Sequence, residues 1–204
     1  MSSQIALPLI PATSGQPASI ILGTGNRAVA EALAAPETWP FRTAILHGPP
    51  RSGKSLFARW FASRHAGGVI DGVESLDETE VFHRWNRAQE DGFPLLLVVD
   101  GENWEIALPD LRSRMSAALQ LEIGAPDDSL ASDLMLSYAA QRGLALGEGA
   151  PAYLVPRMER SYAAIEKIVA EIDRLSLERQ VAPTLSVWRD ALEAVQGPEQ
   201  GRLI

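Results

Sequence analysis

The run Gly48-Pro49-Pro50-Arg51-Ser52-Gly53-Lys54-Ser55 constrains this chain more than any other part of it. It fits the pattern G-x-x-x-x-G-K-[ST] in full, with the apolar stretch Thr43 to Leu46 just before it and a helical pattern, Lys54 to His65, just after. A strand, a glycine-rich turn and a helix in that order place several backbone N–H groups and a helix N-terminus around one point, where an anion is held. Lys54 then reaches the β and γ phosphates of a nucleotide, and Ser55 can hold Mg²⁺. Lysine occurs at only two positions in the chain, 54 and 167, and one of them is here. The loop predicts nucleotide binding and leaves the reaction open, because kinases, motors and switches share it.

The flanking pattern is strand alternating with helix. Val69-Ile70-Asp71 and Leu95 to Asp100 are apolar runs that end in acids, and Glu78 to Glu90 between them reads as a helix. Asn26 to Ala35 is an alanine-rich helix ahead of the first strand, and Leu119 to Ile123 is the last strand. Alternation of this kind predicts a parallel sheet covered on both faces. From there the pattern is helical throughout. Asp127-Asp128 caps a helix to Arg142 with Gly143 at its end, and further helices follow near Pro151 to Met158, Tyr162 to Arg179 and Leu185 to Val195. The expected organisation is a tail over 1–18, an α/β core over 19–125 and a helical lobe over 126–204.

Composition narrows the function classes. There is no cysteine, which removes thiolate nucleophiles, disulfides and zinc–thiolate sites. The net charge of −8 disfavours a dominant electrostatic grip on nucleic acid, so no sequence-specific DNA binding is expected and a role near DNA would run through protein partners. No apolar run approaches the ~20 residues needed to cross a bilayer. No leader pattern is visible at the N-terminus, and the expected place is the cytoplasm.

A nucleotide-bound Mg²⁺ needs a second carboxylate at a neighbouring strand end, and the candidates are Asp71 and Asp100. The apolar pattern alone favours Asp100, since Leu95 to Val99 is the cleaner strand. Five segments, QIALPL, GPPRSGKS, VIDGVESLDETEVFHRWNRAQEDG, PLLLVVDGENW and ALPDLRSRM, taken in this order, resemble the DnaA family of AAA+ proteins, and within it the shorter Hda-like regulators. The resemblance implies a P-loop AAA+ core with a shortened parallel sheet and a C-terminal helical lid. It assigns Asp71 to Walker B and Asp100 to the end of the sensor 1 strand. It makes Arg114 an arginine finger, pushed into a neighbouring subunit's nucleotide site, with Arg112 in support; a planar guanidinium suits a transferring γ-phosphoryl group. It implies ADP or ATP with Mg²⁺ as ligands, DnaA and the DNA polymerase III sliding clamp as partners, and allows a homodimer. Gln4, Ile5, Leu7 and Leu9 of the tail resemble the short peptide by which bacterial proteins dock on that clamp.

Three features depart from the family pattern. The stretch between the phosphate-loop helix and Asp71 is short enough to omit a strand and a helix. Gly72 stands where many AAA+ proteins carry a catalytic carboxylate, and Ala163 stands where the sensor 2 arginine is expected, with Arg160 nearby but out of phase. The chain is therefore expected to bind nucleotide and to hydrolyse it weakly or not at all. The rival expectations are a free-standing P-loop ATPase or kinase, and an adaptor that works without nucleotide.

Overall fold

Thr43-Ala44-Ile45-Leu46 is buried throughout, which marks its strand as interior to the sheet and covered on both faces. The computed structural model describes residues 20–101 and 104–197, and these fall into two units that divide at Ala125. In the first, α1 (Arg27–Ala34), β1 (Thr43–His47), α2 (Lys54–Arg64), β2 (Gly68–Asp71), α3 (Glu78–Asp91), β3 (Leu95–Val98), α4 (Pro109–Ala117) and β4 (Leu119–Glu122) follow in order. The four strands form one parallel sheet in the order β2-β3-β1-β4. On one face Ile45, Ile70, Leu95 and Leu97 pack with Val81 and Trp85 of α3 and Leu111 and Met115 of α4. Strand alternation turns Ala44, Leu46, Leu96 and Val98 to the other face, and all four are buried.

The register sets the site. Asp71 is paired with Val98, so β3 separates the strand that carries Asp71 from the strand that leads into the phosphate loop. Only His65, Ala66 and Gly67 join α2 to β2, and β2 is the sheet edge. The expected shortening of the sheet is found here: nothing between α2 and β2 is long enough to form another strand.

Local capping accounts for the helix ends. Asp77 accepts from the N–H groups of Thr79 and Glu80 at the start of α3, and Gly92 closes it in the left-handed region at φ 69°. The second unit holds α5 (Asp128–Gln141), α6 (Gly149–Leu154), α7 (Tyr162–Arg179) and α8 (Leu185–Gln196) around Met135, Leu154, Ile165, Ile168, Val169, Ile172 and Ala191. Asp127 accepts from the N–H of Leu130 at 2.7 Å, as its position before α5 predicts. The helix expected from Pro151 to Met158 instead begins at Gly149 and passes into a tight 3₁₀ turn, Val155–Arg157, because Pro156 cannot donate the next helical hydrogen bond.

Candidate functional site

The phosphate loop leaves β1 at His47 and enters α2 at Lys54. Gly53 has φ 91°, a conformation that glycine enters without steric cost, and Arg51 also lies in the left-handed region at φ 66°. Gly48 is required for a different reason: a Cβ there would stand 2.9 Å from Ile123 Cβ and 3.0 Å from Ser52 Oγ. Pro49 and Pro50 stiffen the entry to the turn, and Ser55 lies half-buried in the first turn of α2.

Lys54 is 5% exposed, and its ammonium donates to the carbonyls of Gly48 at 2.8 Å and Pro49 at 3.3 Å. A buried cation held by its own loop at the N-terminus of a helix carries the positive potential that an anion would meet there. Ser52 Oγ is shielded from solvent and has no partner among the described residues. An orphaned hydroxyl inside a glycine-shaped cradle fits a phosphate group that would occupy it. Gly48 to Ser55 are the residues that would hold a nucleotide, with Ser55 as a ligand of its Mg²⁺.

Asp100 follows β3, and its Oδ1 lies 3.9 Å from Lys54 Nζ with the side chain 60% exposed. Asp71 ends the edge strand with its side chain exposed. The two acids thus sit at the ends of neighbouring parallel strands, with Asp100 on the strand beside the phosphate loop and Asp71 one strand further out. Gly72 is left-handed at φ 67°, ψ 43°, and a Cβ built on it would meet Asp100 Oδ2 at 3.8 Å. There is room for a side chain there; the backbone is what favours glycine.

Arg114 lies in the last turn of α4, folded onto α3 of its own chain. Its Cζ is 4.5 Å from the Phe82 ring centroid and 4.3 Å from that of Trp85, and its Nη1 donates to Asn86 Oδ1 at 2.5 Å. Positions 82, 85 and 86 share one face of α3, and Trp85 is fixed by an indole N–H donated to the buried Thr43 Oγ1 at 3.0 Å. The resemblance implies a guanidinium facing a neighbouring subunit with Arg112 in support; in this structure the Arg114 side chain is half-buried against the aromatic rings of α3. Arg112 is exposed, and its Nε donates to the carbonyl of Ile106 at 2.7 Å.

Two carboxylates escaped the sequence reading. Glu74 Oε1 accepts from the N–H groups of both Asp100 and Gly101 at 3.0 Å. Glu78 accepts from Ala107 N at 2.7 Å and Leu108 N at 2.6 Å, at the entry to α4. In the sequence they read as ordinary acids near a helix start, since the partners lie about thirty residues away. In the helical unit Ala163 is in the first turn of α7, and Arg160 is paired with Asp128 at 2.9 Å. Gln4, Ile5, Leu7 and Leu9 lie outside the described residues.

A four-stranded parallel sheet followed by a helical unit is an α/β fold, and solved AAA+ proteins share it at low sequence identity. More particularly, the chain is similar in fold to domain III of the replication initiation protein DnaA from Thermotoga maritima, with TM-score 0.72 and 14% identity over 88% of this chain and 95% of that one. AMPPCP-bound DnaA from Aquifex aeolicus matches with TM-score 0.58 and 18% identity over 79% of this chain and 66% of that one. The RuvB Holliday junction branch migration motor of Thermotoga maritima matches with TM-score 0.60 and 16% identity over 88% and 73%. No protein-family model matches the chain. Among the described residues no helix is long and apolar enough to cross a membrane.

Proposed function

We propose that this chain is an Hda-like regulator of replication initiation, which holds ADP or ATP with Mg²⁺, docks on the sliding clamp through residues 4–9, and promotes hydrolysis of DnaA-bound ATP through Arg114. The observation that carries the nucleotide reading is the buried Lys54 in an intact glycine cradle, 3.9 Å from Asp100. The fold it shares with AMPPCP-bound DnaA supports the same ligand class. With Asp71 or Asp100 as the second acid and glycine at 72, the chain keeps its nucleotide and turns it over slowly. Its place of work is the cytoplasm, with DnaA and the clamp.

Arg114 suits action in trans. The guanidinium lies over the rings of Phe82 and Trp85, and among the described residues its one hydrogen bond goes to Asn86. Its other in-plane N–H groups are donors for a γ-phosphate, and a side chain already held in one rotamer loses less entropy on engagement. The experiment mixes ATP-charged DnaA, clamp loaded on DNA and this protein, and follows conversion of bound ATP to ADP. The wild type should accelerate it; Arg114→Ala should lose at least about tenfold of that stimulation, well below the ~10³ to 10⁵ that such arginines supply in GTPases. Nucleotide and clamp binding should persist in Arg114→Ala, and Arg112→Ala should lose less. Equal stimulation by the wild type and Arg114→Ala overturns the finger, and no stimulation by either leaves an adaptor.

A further inference from the structure

Glu74 sits in the 3₁₀ turn Val73–Ser75, directly after the left-handed Gly72. That turn is knit to itself: Ser75 donates to the Gly72 carbonyl from its N–H at 3.1 Å and from its hydroxyl at 2.7 Å. Just past β3, the N–H of Val99 still donates to the Leu46 carbonyl of β1 at 3.0 Å. Beyond it the chain leaves the ladder, and the N–H groups of Asp100 and Gly101 turn to Glu74 Oε1. One carboxylate oxygen therefore fixes two successive peptide units, and the first belongs to the residue whose own carboxylate stands 3.9 Å from Lys54 Nζ.

The other oxygen, Oε2, is shielded from solvent and has no partner among the described residues. A carboxylate that only had to cap two amides could leave that oxygen in water at no cost, so sheltering it concentrates negative charge behind Asp100. Repulsion from that charge favours the Asp100 carboxylate turned away from Glu74, on the side of Lys54. The Asp100 carboxylate, 3.9 Å from the Lys54 ammonium and backed by a second carboxylate on its own turn, is then placed where a divalent cation arriving with the nucleotide would be favoured.

We propose that Glu74 is a positioning residue of the nucleotide site, holding the Asp100–Gly101 turn so that Asp100 meets Mg²⁺ rather than swinging free. This rests on the reading of Gly48–Ser55 as a Mg²⁺–nucleotide cradle and on taking Asp100, 3.9 Å from Lys54, rather than Asp71 as its second acid. Glu74 touches neither the nucleotide nor the metal in this role; it acts through Asp100, so its effect belongs to the metal-bound ligand and not to nucleotide binding in general.

The test measures the affinity of the full chain for fluorescently labelled ADP in excess Mg²⁺ and in EDTA, after thermal melts confirm that each variant is folded. Glu74→Ala should weaken binding in Mg²⁺ by about 10- to 100-fold, the usual effect of removing a partner behind a metal ligand, and by less than about threefold in EDTA. Glu74→Gln keeps an acceptor for the two amides but loses the charge, so in Mg²⁺ it should bind more tightly than Glu74→Ala and more weakly than the wild type. Asp100→Ala should show the same selective loss, and adding Glu74→Ala to it should cost little more, because two residues that act as one unit are not additive. An equal loss with and without Mg²⁺, an unchanged affinity in Glu74→Ala, or full additivity with Asp100→Ala overturns the proposal. Failure of the wild type to bind ADP in either condition is a different pattern, and it removes the nucleotide reading itself.

Discussion

Lys54 is a buried cation whose neutralising partners are two carbonyls of its own loop and a carboxylate 3.9 Å away. Such a group is held ready for anionic oxygens, and removing it should abolish nucleotide binding while leaving the sheet intact, because the loop backbone is set by Gly48 and Gly53. Lys54→Ala should therefore show no change in labelled ADP fluorescence at concentrations that saturate the wild type, with a melting temperature near that of the wild type. Retained binding would show that the loop is not the phosphate site. The wild type itself should turn over ATP slowly, since position 72 offers no carboxylate. At this scale the loop was legible because its chemistry is local: eight consecutive residues supply turn, charge and hydroxyl. Gly72 was legible as a missing carboxylate, but its left-handed backbone was not, because it belongs to the turn that Ser75 closes onto the Gly72 carbonyl. The seats of Arg114 and Glu74 were hidden for the same reason. Their partners, Asn86 and Asp100, lie 28 and 26 residues away, and no local pattern marks them.

Helices announce their ends through groups they cannot satisfy internally, so Asp127 and Gly143 marked boundaries that hold within a residue or two. The tight turns Pro36–Thr38, Pro40–Arg42 and Val155–Arg157 were not legible, being too short for any periodic signal. Burial at a helix start was equally hidden. Tyr162, the first residue of α7, is 2% exposed, and its hydroxyl is pushed up to about 12 by burial, with the charge of Asp127 and then Tyr138 adding to it. The folded unit thus keeps a proton that the unfolded chain gives up near pH 10. Stability from this group is fully present below pH 10 and falls between pH 10 and 12, by at most about 3 kcal/mol. Denaturant melts of the wild type should lose stability across that window, and Tyr162→Phe should flatten the loss while costing some stability at neutral pH. Ultraviolet titration should show one of the three tyrosines ionising about two units later than an ordinary phenol. A Tyr162→Phe protein with the same alkaline loss as the wild type would place the effect elsewhere.

On the scale of the whole chain, the alternation of strand and helix made the parallel sheet legible, and the short link from α2 to β2 made its small size legible. The strand order β2-β3-β1-β4 was not, because nothing in a strand's own residues says which neighbour it pairs with; only the family resemblance separated Asp71 from Asp100. Partners are a further step, since a surface that meets another protein carries no internal packing constraint. The tail proposed to dock on the clamp lies outside the described residues, and its reading rests on sequence alone. In Gln4-Ile5-Ala6-Leu7-Pro8-Leu9 a docked extended peptide would put Leu7 and Leu9 on one side, proline at 8 would disfavour helix at the residue before it, and Gln4 would offer a primary amide. Anchors of this kind concentrate binding energy in a few side chains, each costing about 2 kcal/mol or more when cut to alanine. A synthetic peptide of residues 1–18 should compete with the full chain for purified sliding clamp, and Gln4→Ala with Leu7→Ala should weaken the full chain's clamp affinity by at least about tenfold, since 1.4 kcal/mol already gives that factor. Affinity for ADP should not change in the same double variant, because the substitutions lie far along the chain from Gly48–Ser55. Undiminished clamp binding by that variant would remove the docking motif and oblige any clamp contact to run through the folded core.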